Sequence, residues 1–208
     1  MAILSRLGLP GDETSWTALG FAVQDRMLRI GQISCTLGVG AGWGFDGTDT
    51  DAGILGVPEI LSGTDAETPH PNGVTFVDHI VYWVPDLDEA IAALTAVLGV
   101  GPRRRFHPRG PEGPEMAFYR VGEAFIEVVS AGQRTPGLVG IAFGTPDLDA
   151  TVAAVRAVGG PIGEPKPAVQ GGRIASVWHG HVDWGIAFLE PAPRTPGIRT
   201  ATGDRGTR

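Results

Sequence analysis

The sequence predicts an α+β protein made of paired βαβββ modules, with extra β strands at its N-terminal end. The motif Pro-Asp-Leu-Asp at residues 85–88 recurs 61 residues later, at 146–149. In both copies a β-rich run precedes the motif and helical periodicity follows it. Short strand-like runs separated by turn residues then complete the unit. The 208 residues are enough for two such modules packed together.

The first predicted helix follows Pro85. Asp86 is its N-cap, and Glu89 stands three residues further on, as a capping box requires. Gly99 ends the helix, because glycine readily adopts the left-handed conformation of a C-cap. The apolar residues in between recur at the i, i+3, i+4, i+7 spacing of one buried stripe. They are Leu87, Ala90, Ile91, Leu94, Val97 and Leu98.

The second predicted helix repeats this design. Asp147 is its N-cap, and residues 159–160, both glycine, end it. Its buried stripe is Leu148, Val152 and Val155. Strand-like runs follow both helices, at residues 104–107, 116–121 and 124–130 in the first copy and at 173–178 and 185–190 in the second.

Composition sets the remaining boundaries. Residues 62–73 (SGTDAETPHPNG) are predicted to be a linker, because their composition cannot bury much surface. The linker separates an N-terminal partial β module, 1–61, packed on the core, from a first βαβββ module at 74–132 and a second at 133–191. Residues 192–208 have almost no large apolar side chains and are predicted to be disordered.

The N-terminal segment resembles part of a module. Residues 29–32 (RIGQ) are similar to residues 120–123 (RVGE), and an apolar run follows each of them. This register aligns Thr36 with Glu127. Because the segment lacks a Pro-Asp-Leu-Asp helix, it is predicted to form extra strands packed onto the two full modules.

The charge of the chain limits its partners. A net charge of −7 opposes attraction to phosphate backbones and anionic lipid, so nucleic acid and membranes are not expected partners. The single cysteine, Cys35, excludes an intrachain disulfide, and no run reaches the ~18 apolar residues of a membrane span. A cytoplasmic location is predicted by default. The basic run at 103–105 is interpreted as a solvated strand edge, with contact to an anion as the alternative.

The duplicated unit opens with residues 77–81 (VDHIV) and closes with 125–129 (FIEVV). It resembles the vicinal oxygen chelate superfamily of glyoxalases, bleomycin-resistance proteins and extradiol dioxygenases, and is closest to its glyoxalase-like members. The resemblance implies that the modules curl a mixed sheet into a cup. It also implies a divalent metal, Zn, Ni, Mn or Fe, held by His79 and Glu127, with Glu127 as catalytic base. Relatives commonly dimerise, so a homodimer is compatible with this chain.

Strand alternation puts His79 on one face with Val77, Val81 and Trp83, and Glu127 on one face with Phe125. The second module departs from the implied ligand set. The repeat aligns His79 with Gly140 and Glu127 with Ala187, and neither of these residues can coordinate a metal. Three alternative sources of ligands remain open. They are His179 or His181, Glu190, or the first module of a second subunit.

The predicted cup face of the second module carries only small residues: Gly140, Ala142, Gly144, Gly185 and Ala187. Such a face leaves space. Two interpretations remain open at this point. Either a bulky ligand lies there, or the N-terminal strands pack into the space with their aromatic residues, Trp16, Phe21, Trp43 and Phe45.

Two main hypotheses for function follow. The first is a metal-assisted lyase, isomerase or dioxygenase, in which the ion polarises vicinal oxygens of a small-molecule substrate. The second is a metal-free protein of the bleomycin-resistance type that binds a planar or hydrophobic small molecule or antibiotic. A non-catalytic regulatory module is a third alternative. The candidate ligand-binding residues are aromatic: Trp83, Tyr119, Phe125, Trp178 and Trp184.

Overall fold

The computed structural model describes residues 2–48, 52–108, 110–130, 132, 134–169 and 171–193. The predicted disordered tail lies outside these residues from 194 onward. The described chain forms a four-stranded sheet, an eight-stranded sheet and three α-helices, which confirms the α+β class. Within this part of the chain, no helix is both long enough and apolar enough to span a membrane.

The N-terminal unit is a small sheet with one short helix. Its elements are β1 (Ile3–Leu9), α1 (Glu13–Thr17), β2 (Met27–Ile30), β3 (Ile33–Leu37) and β4 (Gly42–Asp46), followed by a 3₁₀ turn at Ala52–Leu55. Residues 61–75, which include the predicted linker, contain no helix or strand.

The first module has the predicted βαβββ order: β5 (Phe76–Val84), α2 (Leu87–Leu98), β6 (Arg104–Phe106), β7 (Met116–Val121) and β8 (Ala124–Ser130). The Asp86 carboxylate accepts a hydrogen bond from the Glu89 backbone N–H at 2.9 Å, as an N-cap does. Gly99 has a φ of 69° and closes the helix.

The second module repeats the order: β9 (Gly137–Gly144), α3 (Leu148–Ala157), β10 (Lys166–Pro167), β11 (Arg173–Ser176) and β12 (Gly185–Glu190). The Asp147 carboxylate caps α3 by accepting from the Ala150 backbone N–H at 2.9 Å. The two modules share one sheet, with strand order β10-β11-β12-β9-β5-β8-β7-β6.

A pseudo-twofold relationship joins the modules at the centre of this sheet. β5 is parallel to β8, β9 is parallel to β12, and β5 and β9 are antiparallel neighbours. Ile80 pairs with Ile141, which stands one repeat later in the sequence, so the axis passes between these two residues. Each central strand has one bulged residue without a partner in the β5–β9 pairing, Asp78 in β5 and Val139 in β9. These bulges are also one repeat apart.

The N-terminal unit packs on the face of the large sheet that α2 and α3 also cover. Trp16 contacts Phe143 with ring centroids 6.0 Å apart, and Trp43 lies 4.9 Å from Tyr82. Phe143 and Tyr82 lie on the same side of the sheet as the fully buried Ile80 and Ile141. The interpretation that the N-terminal aromatic residues fill the small-residue face of the second module is therefore wrong, because they bury their rings on the opposite face.

The N-terminal sheet has the strand pairing of a partial module. β1 is parallel to β3, and β3 is antiparallel to β2, as β5, β8 and β7 are arranged in the first module. Arg6 pairs with Ser34 at the position where His79 pairs with Phe125. The following segment covers this face, because Arg6 Nε donates to the Ile60 carbonyl at 2.8 Å and the Thr64 N–H donates to Ser34 Oγ at 2.6 Å.

Candidate functional site

His79 and Glu127 lie side by side on the face of the eight-stranded sheet opposite α2 and α3, here called the site face. His79 Nε2 is 3.8 Å from Glu127 Oε2, and the two side chains are 24% and 17% exposed. The parallel pairing of β5 with β8 produces this proximity, because it places Glu127 beside Val81, two residues along β5 from His79. Both groups can thus reach a ligand from solvent.

A third polar group, Asp78, joins them. Because Asp78 occupies the β5 bulge, its carboxylate reaches the adjacent imidazole, with Oδ2 2.7 Å from His79 Nδ1. The bulge also puts the fully buried Val77 on the helix-covered face, which corrects the expectation that Val77 shares a face with His79. Strict alternation concealed Asp78, since a period of two assigns neighbouring residues to opposite faces.

The pseudo-twofold axis identifies the residues of the second module that are equivalent to His79 and Glu127. Ile126 and Ile186 pair with Ile80 and Ile141, so Ala187 is the equivalent of Glu127, and Gly140 is the equivalent of His79. Neither equivalent has a donor atom in its side chain. The second half of the site face therefore contributes no metal ligand at these two positions.

The residues present do not fit a resident metal ion. Among the described residues, no three His, Cys, Asp or Glu side chains are grouped as a metal would require. His181 Nε2 is instead hydrogen-bonded to the Ser15 carbonyl at 2.8 Å. Glu190 accepts from the Leu148 N–H at 2.9 Å and so caps α3. These contacts engage His181 and Glu190 elsewhere, His179 is exposed in the turn before β12, and within one chain His79 and Glu127 remain half of the set.

Two of the five predicted aromatic residues lie on the site face. Trp83 is on the same face of β5 and is 41% exposed. Phe125 pairs directly with His79, and its ring is covered by the Arg120 guanidinium, with the carbon Cζ 4.6 Å from the ring centroid. Phe125 therefore supports an arginine, whereas the Trp83 ring is partly exposed to solvent.

The other three aromatic residues lie elsewhere. Tyr119 is fully buried on the helix-covered face, and its hydroxyl donates to the Ile91 carbonyl at 3.1 Å. Burial raises the pKa of Tyr119. Trp184 is 8% exposed and belongs to the core, while Trp178 is 65% exposed in the turn between β11 and β12. The expectation that Tyr119 and Trp184 line the site is corrected, since neither ring reaches the site face.

Small residues continue the site face across the second module. Gly140 pairs with Val81 and Gly185, and Ala142 pairs with His79 and Ala187. Gly144 is covered by the Phe76 ring, which a Cβ added there would overlap, and Ala142 is 2% exposed. The side chains on the site face are therefore polar and aromatic in the first module and small in the second.

Residues 78–176 match the family described as the glyoxalase/bleomycin resistance protein/dioxygenase superfamily. The matched segment begins at the bulge and contains the whole first module from there on. No curated protein is a significant match to the chain.

Several solved structures are similar to parts of this chain. The methylmalonyl-CoA epimerase of Mycobacterium tuberculosis is 25% identical, covers 58% of this chain and 91% of its own, and has a TM-score of 0.49. A hypothetical protein of Bacillus halodurans is 20% identical over 58% of this chain and 96% of its own, also with a TM-score of 0.49. A variant epimerase of Streptomyces coelicolor in complex with 2-nitronate-propionyl-CoA is 22% identical over 59% and 99% of the two chains, again with a TM-score of 0.49.

Proposed function

We propose that this chain, whose residues 78–176 belong to the glyoxalase/bleomycin resistance protein/dioxygenase superfamily, binds a small molecule on its site face without a resident metal ion. One observation carries the proposal. His79 and Glu127 meet at 3.8 Å on an accessible face, while their twofold equivalents are Gly140 and Ala187. One half of the face supplies hydrogen-bonding groups, and the other half carries only small side chains at the equivalent positions.

The chemistry of the face supports binding. Small-molecule sites combine apolar walls with a few convergent polar groups, and an exposed indole offers a large apolar area at low entropic cost. Trp83 supplies the indole, and Asp78, His79 and Glu127 supply the polar groups. The incomplete donor set gives no support to the metal-dependent lyase, isomerase or dioxygenase implied by the resemblance.

A ligand screen followed by the fluorescence emission of Trp83 tests this proposal. The chelator-treated protein is titrated with a small-molecule library, and binders are detected by a change in tryptophan emission. For a binder at the site face, Trp83→Phe removes the emission change, and His79→Ala weakens binding by about tenfold, the loss of one hydrogen bond to a charged or polar group. Trp178→Phe is the matched control. Binding that requires added zinc, or that survives unchanged in His79→Ala and Glu127→Gln, contradicts the proposal.

A second function is favoured by one contact. Asp78 accepts from His79 Nδ1 at 2.7 Å, which orients the imidazole so that Nε2 faces the ligand side of the strand. In a metal-independent isomerase or lyase, His79 would exchange a proton with the substrate, Glu127 would act as the second proton acceptor, and Asp78 would be a positioning residue.

Proton exchange distinguishes the enzyme from the binding protein. A bound compound with an acidic C–H is incubated with the protein in D₂O and followed by NMR. Enzymatic proton abstraction replaces that hydrogen by deuterium, and Asp78→Asn slows the exchange more than it weakens binding. A bound compound that keeps all its C–H hydrogens argues for binding alone.

A further inference from the structure

The N-terminal sheet contains a cross-strand row of residues that is equivalent to a row on the site face. Over β4, β1, β3 and β2, the N-terminal row consists of Gly44, Arg6, Ser34 and Arg29. Over β9, β5, β8 and β7, the row on the site face consists of Ala142, His79, Phe125 and Arg120. The bulge is repeated as well, because the β1–β4 pairing skips Ser5 as the β5–β9 pairing skips Asp78.

A peptide segment of the chain crosses the N-terminal row. At the centre of the row, Arg6 Nε donates to the Ile60 carbonyl at 2.8 Å. At the edge of the row, Arg29 Nη1 donates to the Thr64 carbonyl at 3.2 Å and lies 3.4 Å from the Asp65 carboxylate. The occupant of this row is therefore a peptide, and the arginine at the edge holds its oxygen atoms.

The equivalent edge arginine of the site face, Arg120, is held in place by its neighbours. Its Cζ lies 4.6 Å from the ring centroid of Phe125, and Phe125 pairs directly with His79. Arg120 Nε donates to the Gly122 carbonyl at 2.6 Å, and its terminal nitrogens make no hydrogen bond to the described part of the chain. A guanidinium fixed on a ring in this way keeps its outer N–H fork for a carboxylate.

Glu123 is an acidic neighbour of Arg120. Arg120 lowers the pKa of Glu123, although burial has the larger, opposite effect. The Glu123 carboxylate is engaged by the N-terminal sheet, because its Oε1 accepts from the Gln32 backbone N–H at 2.6 Å. The terminal nitrogens of Arg120 are thus left for a ligand.

The centre of the row on the site face has the opposite polarity to its edge. Because the Asp78 carboxylate accepts from His79 Nδ1 at 2.7 Å, Nε2 of the neutral imidazole is a hydrogen-bond acceptor. The guanidinium of Arg120 lies over β8, and neighbouring strands are about 4.8 Å apart, so it is roughly one strand spacing from β5. One or two residues of an extended peptide span this distance. A peptide that ends in a free carboxylate offers an N–H and an anion in this order.

We propose that His79 and Arg120 bind the C-terminal end of a short peptide. Arg120 binds the terminal carboxylate with two parallel hydrogen bonds, and His79 Nε2 accepts from the N–H of the last residue. This inference rests on the proposed function and specifies its ligand class. The contact of Arg29 with the peptide segment that ends at Asp65 supports it from within the same chain.

Three matched peptides test the inference. The first is N-acetyl-alanyl-alanine, the second is its C-terminal amide, and the third carries an N-methyl group on the last alanine. Binding is followed by calorimetry and by the NMR signals of the His79 ring. The amide and the N-methyl peptide are each expected to bind about tenfold more weakly than the first peptide, because each loses one hydrogen bond that involves a charged or polar group.

Variants assign each loss to one residue. Arg120→Gln is expected to remove the difference between carboxylate and amide, and His79→Ala the difference caused by N-methylation. Arg120→Lys keeps the charge but loses the fork, so it retains only part of the preference for the carboxylate. Arg156→Gln removes an arginine paired with Glu164 on the helix-covered side and serves as the control. Thermal unfolding of each variant checks that the fold is intact.

The outcomes distinguish this inference from the function on which it rests. Equal binding of carboxylate and amide, a preference that persists in Arg120→Gln, or no penalty for N-methylation overturns the peptide assignment. Failure of all three peptides to bind also overturns it. In each case a library compound that binds at Trp83 leaves the proposed function standing, whereas the absence of any such compound overturns both.

Discussion

Nδ1 of His70 accepts a hydrogen bond from the Ala22 backbone N–H at 3.2 Å, while its Nε2 lies 3.0 Å from the Arg29 carbonyl oxygen. Only the neutral imidazole that carries its proton on Nε2 satisfies both contacts. The ring is 8% exposed and meets the Phe21 ring edge-on at 5.1 Å. His70 thus holds residues 61–75 against the N-terminal sheet in its uncharged form.

Stability should fall in acid because of His70. Burial lowers the pKa of His70 from its ordinary value of 6.5, so below pH 6.5 the unfolded chain binds a proton that the folded protein does not. The free energy of unfolding therefore decreases as pH falls through 6.5, by at most about 1.4 kcal/mol per pH unit for one proton. Urea titrations between pH 7.5 and 5 are expected to show a shallower loss in His70→Gln. The exposed His107 provides the control variant, and identical profiles for wild type and His70→Gln would contradict the assignment.

Two substitutions should create the missing metal site. Gly140→His with Ala187→Glu restores donors at the twofold equivalents of His79 and Glu127, so zinc affinity is expected to rise by about 100-fold or more. A Cβ at residue 140 would lie 3.0 Å from the Gly185 carbonyl oxygen and 3.3 Å from Val81 Cγ2, so the neighbouring strand and the Val81 side chain must both shift slightly. Competition with a zinc indicator measures the affinity. Adding His79→Ala should abolish the gain in zinc affinity. If the double variant binds zinc no more tightly than the wild type, residues 140 and 187 are not equivalent to His79 and Glu127.

The two faces of the sheet should respond differently to aromatic substitutions. Tyr119→Phe removes a buried hydroxyl that donates to the Ile91 carbonyl and contacts Thr95 Oγ1, so it should cost about 1–2 kcal/mol of stability. Ligand binding should be unchanged, because the hydroxyl is on the helix-covered face. Trp83→Phe should do the reverse, weakening binding at little cost to the free energy of unfolding. A loss of binding in Tyr119→Phe would show that the site extends through the sheet.

The two helix caps should contribute equally. Asp86→Ala and Asp147→Ala each remove the acceptor for one N-terminal backbone N–H, at an expected cost of about 1 kcal/mol. The caps belong to different modules, so the double variant should lose about the sum. Asp88→Ala, which removes an exposed ion pair with Arg105, should cost less than either cap variant by the same thermal or urea measurement.

Much of the site could be predicted because repeats carry information about pairing. The equivalence of His79 with Gly140 follows from the repeat alone, since both positions stand at the same distance before a Pro-Asp-Leu-Asp motif. Asp78 and Arg120 could not be identified in this way. A bulge adds a residue without any change in the hydrophobic pattern, and a cation stacked on a ring depends on a neighbouring strand.

The sequence by itself determined the two βαβββ modules, the capped helices and the incomplete ligand set, because hydrophobic periodicity, capping residues and the 61-residue repeat can all be read along the chain. Only the tertiary structure decided which face the N-terminal unit covers, that Asp78 turns toward His79, and that Arg120 lies over Phe125. All three features depend on how strands that are distant in the sequence align. The N-terminal aromatic rings are buried against Phe143 and Tyr82 by the hydrophobic effect, and no local pattern in the sequence indicates these partners.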